Sequence, residues 1–287
     1  MSKVFIILIV VLLVIIGIVA RLYQLNKSEL SQVYRSFKAT LNVQEKLLPN
    51  KMVFLHHSIG EDLLHYGGLA DSLLEQGIWV KSATYGDYIG ENTDINDWLP
   101  KFNKDIDKIM AFKAHPNIYC EDDDNYNSII MFKSCFPNSN IISEGIEPGD
   151  PYGKQKTLSN YKATFLNLSG IFKEYKNHLF IYITAPPLVP EKTTRENASR
   201  AKTFNSWLVS EYLPDYYENA STRNLIVFDL FSVWTDSENY LKREYRGKVA
   251  GDSHPNKLAH KIATQEFMNQ FKPLWSQWLL TRELDNH

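Results

Sequence analysis

Five short apolar runs recur along this chain, each separated from the next by a longer stretch of helical character. They are 52–55 (MVFL), 78–83 (IWVKSA), 128–132 (SIIMF), 179–184 (LFIYIT) and 225–230 (LIVFDL). Between and after them, periodicity predicts helices over about 60–76, 98–112, 158–175, 200–212 and 256–280. Strands this short and this continuously apolar are buried on both faces, which is the condition of a parallel sheet. Alternating strands and helices with right-handed crossovers then specify an α/β fold, a three-layer αβα sandwich around a central parallel five-stranded sheet. In such sheets ligands bind beyond the carboxyl ends of the strands, so those ends are where chemistry is expected.

A chain of 287 residues with 44% hydrophobic and 22% charged residues has ample material for that core. Its formal net charge of −2 and its lack of a basic cluster with interleaved aromatics exclude nucleic acid as an expected partner. The N-terminus is a separate matter. Residues 4–20 (VFIILIVVLLVIIGIVA) are apolar apart from one Gly, flanked by Lys3 and Arg21. The run reaches the lower limit for a membrane-spanning helix. An N-terminal transmembrane anchor over 1–22 is expected, with a cleaved signal peptide as the rival because the run ends in a small-x-small pattern. A polar stalk over 23–48 and a catalytic domain over 49–287 follow. Arg21, Lys27, Arg35 and Lys38 just after the span would keep the domain cytoplasmic by charge bias alone. The function inferred below favours the extracytoplasmic side.

Cys120 and Cys135 are the only cysteines, enough for one disulfide or for two thiols. The acidic run at 121–125 (EDDDN) reads as a solvated charge run before it reads as a calcium site. The loop after the third strand, 133–155, is long, and long loops in compact domains are functional or disordered.

Polar residues collect at the strand ends. The first strand runs into His56, His57 and Ser58, the second into Tyr85, Gly86 and Asp87, the third into Lys133, Ser134, Asn138 and Asn140. The segment before the last helix is GDSHPN, with Asp252 and His254. A serine hydroxyl becomes a useful nucleophile when an imidazole takes its proton during attack. The negative charge that develops then needs donors: a backbone N–H at a strand-to-helix turn, one from a Gly turn, and an Asn side chain. All three kinds are present.

These blocks, in this order, resemble the SGNH hydrolases, the GDSL-like esterases and acylhydrolases with a flavodoxin-like sheet. The resemblance extends over roughly 51–282. It implies Ser58 as nucleophile and first oxyanion donor, Gly86 (or Gly90) as the second donor, Asn138 (or Asn140) as the third, and His254 as the base. It further implies hydrolysis of an ester-bearing small molecule, glycan or lipid without a cofactor. The family's acid stands three residues before its His; here Gly251 stands there, and Asp252 is only two away. His57 takes the place where the first block usually has Asp.

Each residue also has a plainer reading. Ser58 with Glu61 has capping-box spacing. His56 and His57, adjacent on a strand, point to opposite faces. His57, His254 and Asp252 together would suit a metal, although no tight ligand spacing supports that. Lys133 and Asp87 are substrate contacts or ion pairs, and Tyr85, Tyr88 and Phe136 are a cleft wall or loop anchors. A catalytically silent binding domain and an O-acyltransferase using the same Ser/His pair are the alternative functions.

Overall fold

A computed structural model describes residues 50–113 and 126–285. The anchor and stalk expected at 1–48 lie outside them, as do Cys120 and the acidic run. No helix among the described residues is long and apolar enough to cross a membrane.

The expected alternation is present. In chain order the elements are β1 (Asn50–Leu55), α1 (Ser58–His65), α2 (Leu69–Leu74), β2 (Ile78–Ala83), α3 (Ile95–Met110), β3 (Ile129–Lys133), α4 (Leu158–Glu174) and β4 (Leu179–Ile183). Then come α5 (Arg195–Trp207), α6 (Leu213–Asn219), β5 (Leu225–Phe228), α7 (Leu230–Trp234) and the long α8 (Lys257–Asp285). All four strand pairings are parallel and the sheet order is β2-β1-β3-β4-β5. The order reverses direction between β1 and β3, and in a doubly wound sheet that is where a crevice opens at the carboxyl edge.

Successive strand residues face opposite sides, so each strand feeds two cores. Val53, Leu55, Ile130, Phe132, Phe180 and Tyr182 pack against Trp98 and Phe102 of α3, Phe165 and Phe172 of α4 and Phe204 of α5. Met52, Phe54, Met131, Ile181 and Phe228 pack on the other face against Leu63 of α1, Leu73 of α2 and Ala263, Phe267 and Phe271 of α8. The result is the three-layer sandwich that the pattern specified.

Boundaries differ where local chemistry overrides periodicity. The single helix expected over 60–76 is two, broken at Gly67-Gly68, where Gly68 takes φ 75°. The fifth strand stops at Phe228 because the Asp229 carboxylate accepts the Ser232 N–H and caps α7. α3 starts at Ile95, three residues before the expected Trp98, because Asp94 and Asp97 form a reciprocal capping box. The helix expected over 200–212 begins at Arg195 behind a Thr194 cap and continues through a π-turn at Leu208–Tyr212 into α6.

The long loop after β3 is ordered and folds back on itself. Ile142 N–H donates to Lys156 O, Leu158 N–H to Ser143 O and Ser159 N–H to Glu144 O. Its distal part surrounds an open cleft of about 820 Å³ lined in part by Glu144, Glu147, Asp150 and Lys154.

Candidate active site

β1 delivers His56, His57 and Ser58 to the carboxyl edge of the sheet beside the switch point. His57 is the residue that precedes the first turn of α1, with no side-chain cap, and Ser58 is the first helical residue. Ser58 therefore does not act as a cap despite its spacing to Glu61. Its Oγ lies 2.9 Å from His254 Nε2, across 196 residues of sequence.

Asp252 sits on the other side of that imidazole. His254 Nδ1 is 2.7 Å from Asp252 Oδ1, and the His254 backbone N–H donates to the same oxygen at 3.0 Å. The two-residue spacing closes because the Asp252 carboxylate folds back across Ser253 to accept the His254 N–H, in a turn that Gly251 precedes with φ 72°. A carboxylate only accepts, so Nδ1 carries the proton and Nε2 presents its lone pair to the Ser58 hydroxyl. Burial alone would raise the Asp252 carboxyl, but its hydrogen bonds from the His254 ring and backbone outweigh that and hold it below the usual range. Phe136 packs edge-on against the His254 ring with centroids 5.0 Å apart, fixing the ring from the β3 loop.

The two histidines before Ser58 take different roles. His56 is fully buried; its Nδ1–H donates to His57 O at 2.9 Å and its Nε2 accepts from Ser82 Oγ at 2.8 Å. Desolvation pulls its pKa down to about 3, so the ring is neutral. His57 is half-buried and holds the β2–α3 loop over the strand end. Its Nε2–H donates to Gly90 O at 2.9 Å, Thr93 Oγ1 stands 3.2 Å from its Nδ1, and Tyr85 stacks on its ring at 3.7 Å. Immediately before Ser58 this chain thus has a ring that clamps a loop. Burial lowers its pKa as well.

The Gly86, Gly90 and Asn138 groups expected as oxyanion donors are engaged in hydrogen bonds of their own. Gly86 N–H donates to Glu91 Oε1 at 2.8 Å, and Gly90 N–H to Asp87 O at 2.9 Å. Asn138 is 1% exposed and its side chain is fully engaged. It accepts from Ile95 N–H at 2.9 Å and donates to Asp94 Oδ1 at 2.7 Å and Cys135 O at 3.1 Å. Asn138 thus ties the β3 loop to the start of α3 and has no N–H left for a substrate. The amide of Asn140 differs: its oxygen accepts from Thr193 Oγ1 at 2.7 Å and Asn197 Nδ2 at 2.9 Å, while its NH₂ is uncommitted. At the start of α1, the N–H groups of Ser58 and Ile59 have no acceptor among the described residues. The Ile59 donor was invisible in the sequence because only the register of the helix start frees it.

The remaining candidates resolve structurally. Asp87 accepts from Thr84 N–H at 2.8 Å and closes its own turn. Lys133 is no surface residue: it is wholly buried, its ammonium donates to Ser134 O at 3.1 Å, and desolvation lowers its pKa. Tyr88 donates to Lys108 O at 3.2 Å. His57 does not join His254 and Asp252 as a metal ligand, since its ring serves the loop; no group of three metal-ligating side chains exists among the described residues.

No family model matches the sequence, and no curated protein matches it. Among solved structures, the chain is similar to a protein from Desulfitobacterium hafniense DCB-2 described as lipolytic and of the G-D-S-L family. The identity there is 13%, over 77% of this chain and 98% of that one, with a TM-score of 0.43. A protein from Streptococcus pneumoniae described as a platelet activating factor gives 12% identity, coverage of 90% and 98%, and a TM-score of 0.42. The periplasmic domain of a lipopolysaccharide acetyltransferase from Salmonella ser. Paratyphi A gives 11%, coverage of 81% and 87%, and 0.42. The chemistry of the site follows from its own side chains.

Proposed function

We propose that this protein is a serine acylhydrolase of the SGNH type, acting through an acyl-enzyme on Ser58. The observation that carries the reading is the continuous chain Ser58 Oγ, His254, Asp252, with contacts of 2.9 and 2.7 Å and the imidazole tautomer fixed by the carboxylate. As the Ser58 oxygen bonds to the ester carbonyl carbon, its proton passes to His254 Nε2. Asp252 holds the ring and stabilises the imidazolium. The carbonyl oxygen, now negative, is received by the N–H groups of Ser58 and Ile59, with the Asn140 amide as the third donor. Collapse breaks the bond to the alcohol oxygen, which takes the proton from Nε2. Water attacks the acyl-enzyme by the same route in reverse and releases the acid.

His254 and Asp252 are 38% and 35% exposed, so the site is open and suits an acyl group displayed on a larger molecule. O-acylated glycans of the cell surface or lipids are the proposed substrates. The apolar segment at 4–20 would hold the domain at the membrane on its extracytoplasmic side. Transfer of the acyl group to a sugar hydroxyl begins with the same acyl-enzyme. Turnover of p-nitrophenyl acetate by the full-length chain, with and without added sugar alcohols, tests both. Ser58-dependent release of nitrophenol supports the reading, and acylated sugar in place of acetate identifies transfer. Turnover that survives Ser58→Ala, or none at all in the folded protein, refutes it.

A further inference from the structure

Ser58 and Asp62 lie four residues apart on α1, so their side chains leave the same face of the helix one turn apart. His254 reaches Ser58 on that face. The Asp62 carboxylate is only 29% exposed, yet it makes no hydrogen bond among the described residues. Its ion-pair neighbour, His260 Nε2, is 3.7 Å from Oδ2, beyond hydrogen-bonding distance. His260 is 1% exposed with both ring nitrogens unpartnered, and Trp234 packs edge-on against it at 5.4 Å. Desolvation pulls the His260 pKa down to about 4, so near neutral pH its ring does not cancel the charge of Asp62.

A half-buried carboxylate without hydrogen bonds costs stability. Burial accordingly pushes the Asp62 carboxyl up, while His254 acts most strongly against that shift. The other charged groups around it are Glu61 on its own helix, Lys133 on β3 and Lys257 and His260 on α8. The negative charge also favours the charged form of the buried Lys133, but its strongest favourable partner is His254.

We propose that Asp62 is a positioning residue for the Ser58–His254 pair, its carboxylate supplying a second negative charge, beyond that of Asp252, to the imidazolium that forms on His254. The proposal rests on the acyl-transfer reading of Ser58. When Ser58 gives its proton to Nε2, the new cation has one carboxylate in contact through Nδ1 and a second on the helix face of the nucleophile, one turn along. Removing the second makes the imidazolium harder to form. That weakens His254 as a base.

The test is Asp62→Asn in the full-length chain, beside Asp62→Glu and Ser58→Ala, with thermal unfolding and the pH profile of p-nitrophenyl acetate turnover measured for each. Asp62→Asn should remain folded at pH 7, lower kcat about 3- to 10-fold, and move the acidic limb of kcat/KM to lower pH. Asp62→Glu should restore most of both. An unchanged pH profile in Asp62→Asn, with wild-type turnover still abolished by Ser58→Ala, overturns the role of Asp62 alone. Turnover that persists in Ser58→Ala overturns it together with the acyl-enzyme.

Discussion

One oxygen of Asp252 accepts both the ring Nδ1–H and the backbone N–H of His254, at 2.7 and 3.0 Å. The acid and the base it orients are thus joined within a three-residue turn and not by tertiary packing. Asp252→Asn should leave the fold intact while presenting an amide that favours the wrong tautomer. A loss in kcat of about 10²- to 10⁴-fold with little change in KM is expected from steady-state kinetics.

Asn138 and Asn140 should separate cleanly on substitution. Asn138→Ala removes the acceptor for Ile95 N–H and the donor to Asp94, so it should cost about 1–3 kcal/mol of stability, read by urea unfolding. Asn140→Ala breaks only accepting bonds from Thr193 and Asn197, and should lower kcat on the order of 10²-fold with a smaller effect on stability.

The layers and the sheet were legible because parallel strands buried on both faces leave continuous apolar runs that no polar position interrupts. Ser58 and His254 were legible because both stand at the carboxyl edge of the sheet. The oxyanion side was not. Whether Asn138 or Asn140 keeps a free amide N–H depends on hydrogen bonds from Asn138 to Cys135 O and to Asp94, 44 residues away, which spacing cannot reveal. The place of Asp252 hinged on a turn that brings its carboxylate onto the His254 N–H, and the purpose of His57 on Gly90 and Thr93 of a loop that folds back over it. Asp62 went unnoticed because an Asp in the first helix after a strand looks like ordinary helix surface.

Gly60 places α1 directly against His56. A Cβ there would stand 2.3 Å from His56 Cβ and 2.4 Å from its Cγ, so the helix start or His56 must shift. Gly60→Ala should therefore displace the helix start that carries Ser58, lowering both the unfolding midpoint and turnover, whereas Gly170→Ala, with open space around its position inside α4, should leave turnover unchanged and raise the midpoint slightly.

Two buried neutral histidines give the fold a defined acid sensitivity. His56 and His260 fall from 6.5 to about 3 and about 4 through desolvation. In the unfolded chain both take up a proton below pH 6.5, while in the folded protein they do not. Stability is therefore full above that pH and falls as pH drops toward 4, by up to about 1.4 kcal/mol per pH unit for each histidine. Urea unfolding between pH 7 and 5 checks this, and His56→Gln should flatten the slope.

The most direct test of the account is the identity of the atom that becomes acylated. The full-length chain is treated with a fluorophosphonate probe and the modified peptide identified by mass spectrometry. The account predicts stoichiometric labelling at Ser58, absent in Ser58→Ala and at least about 10³-fold slower in His254→Ala. Labelling at another residue, or equal labelling rates with and without His254, would contradict it.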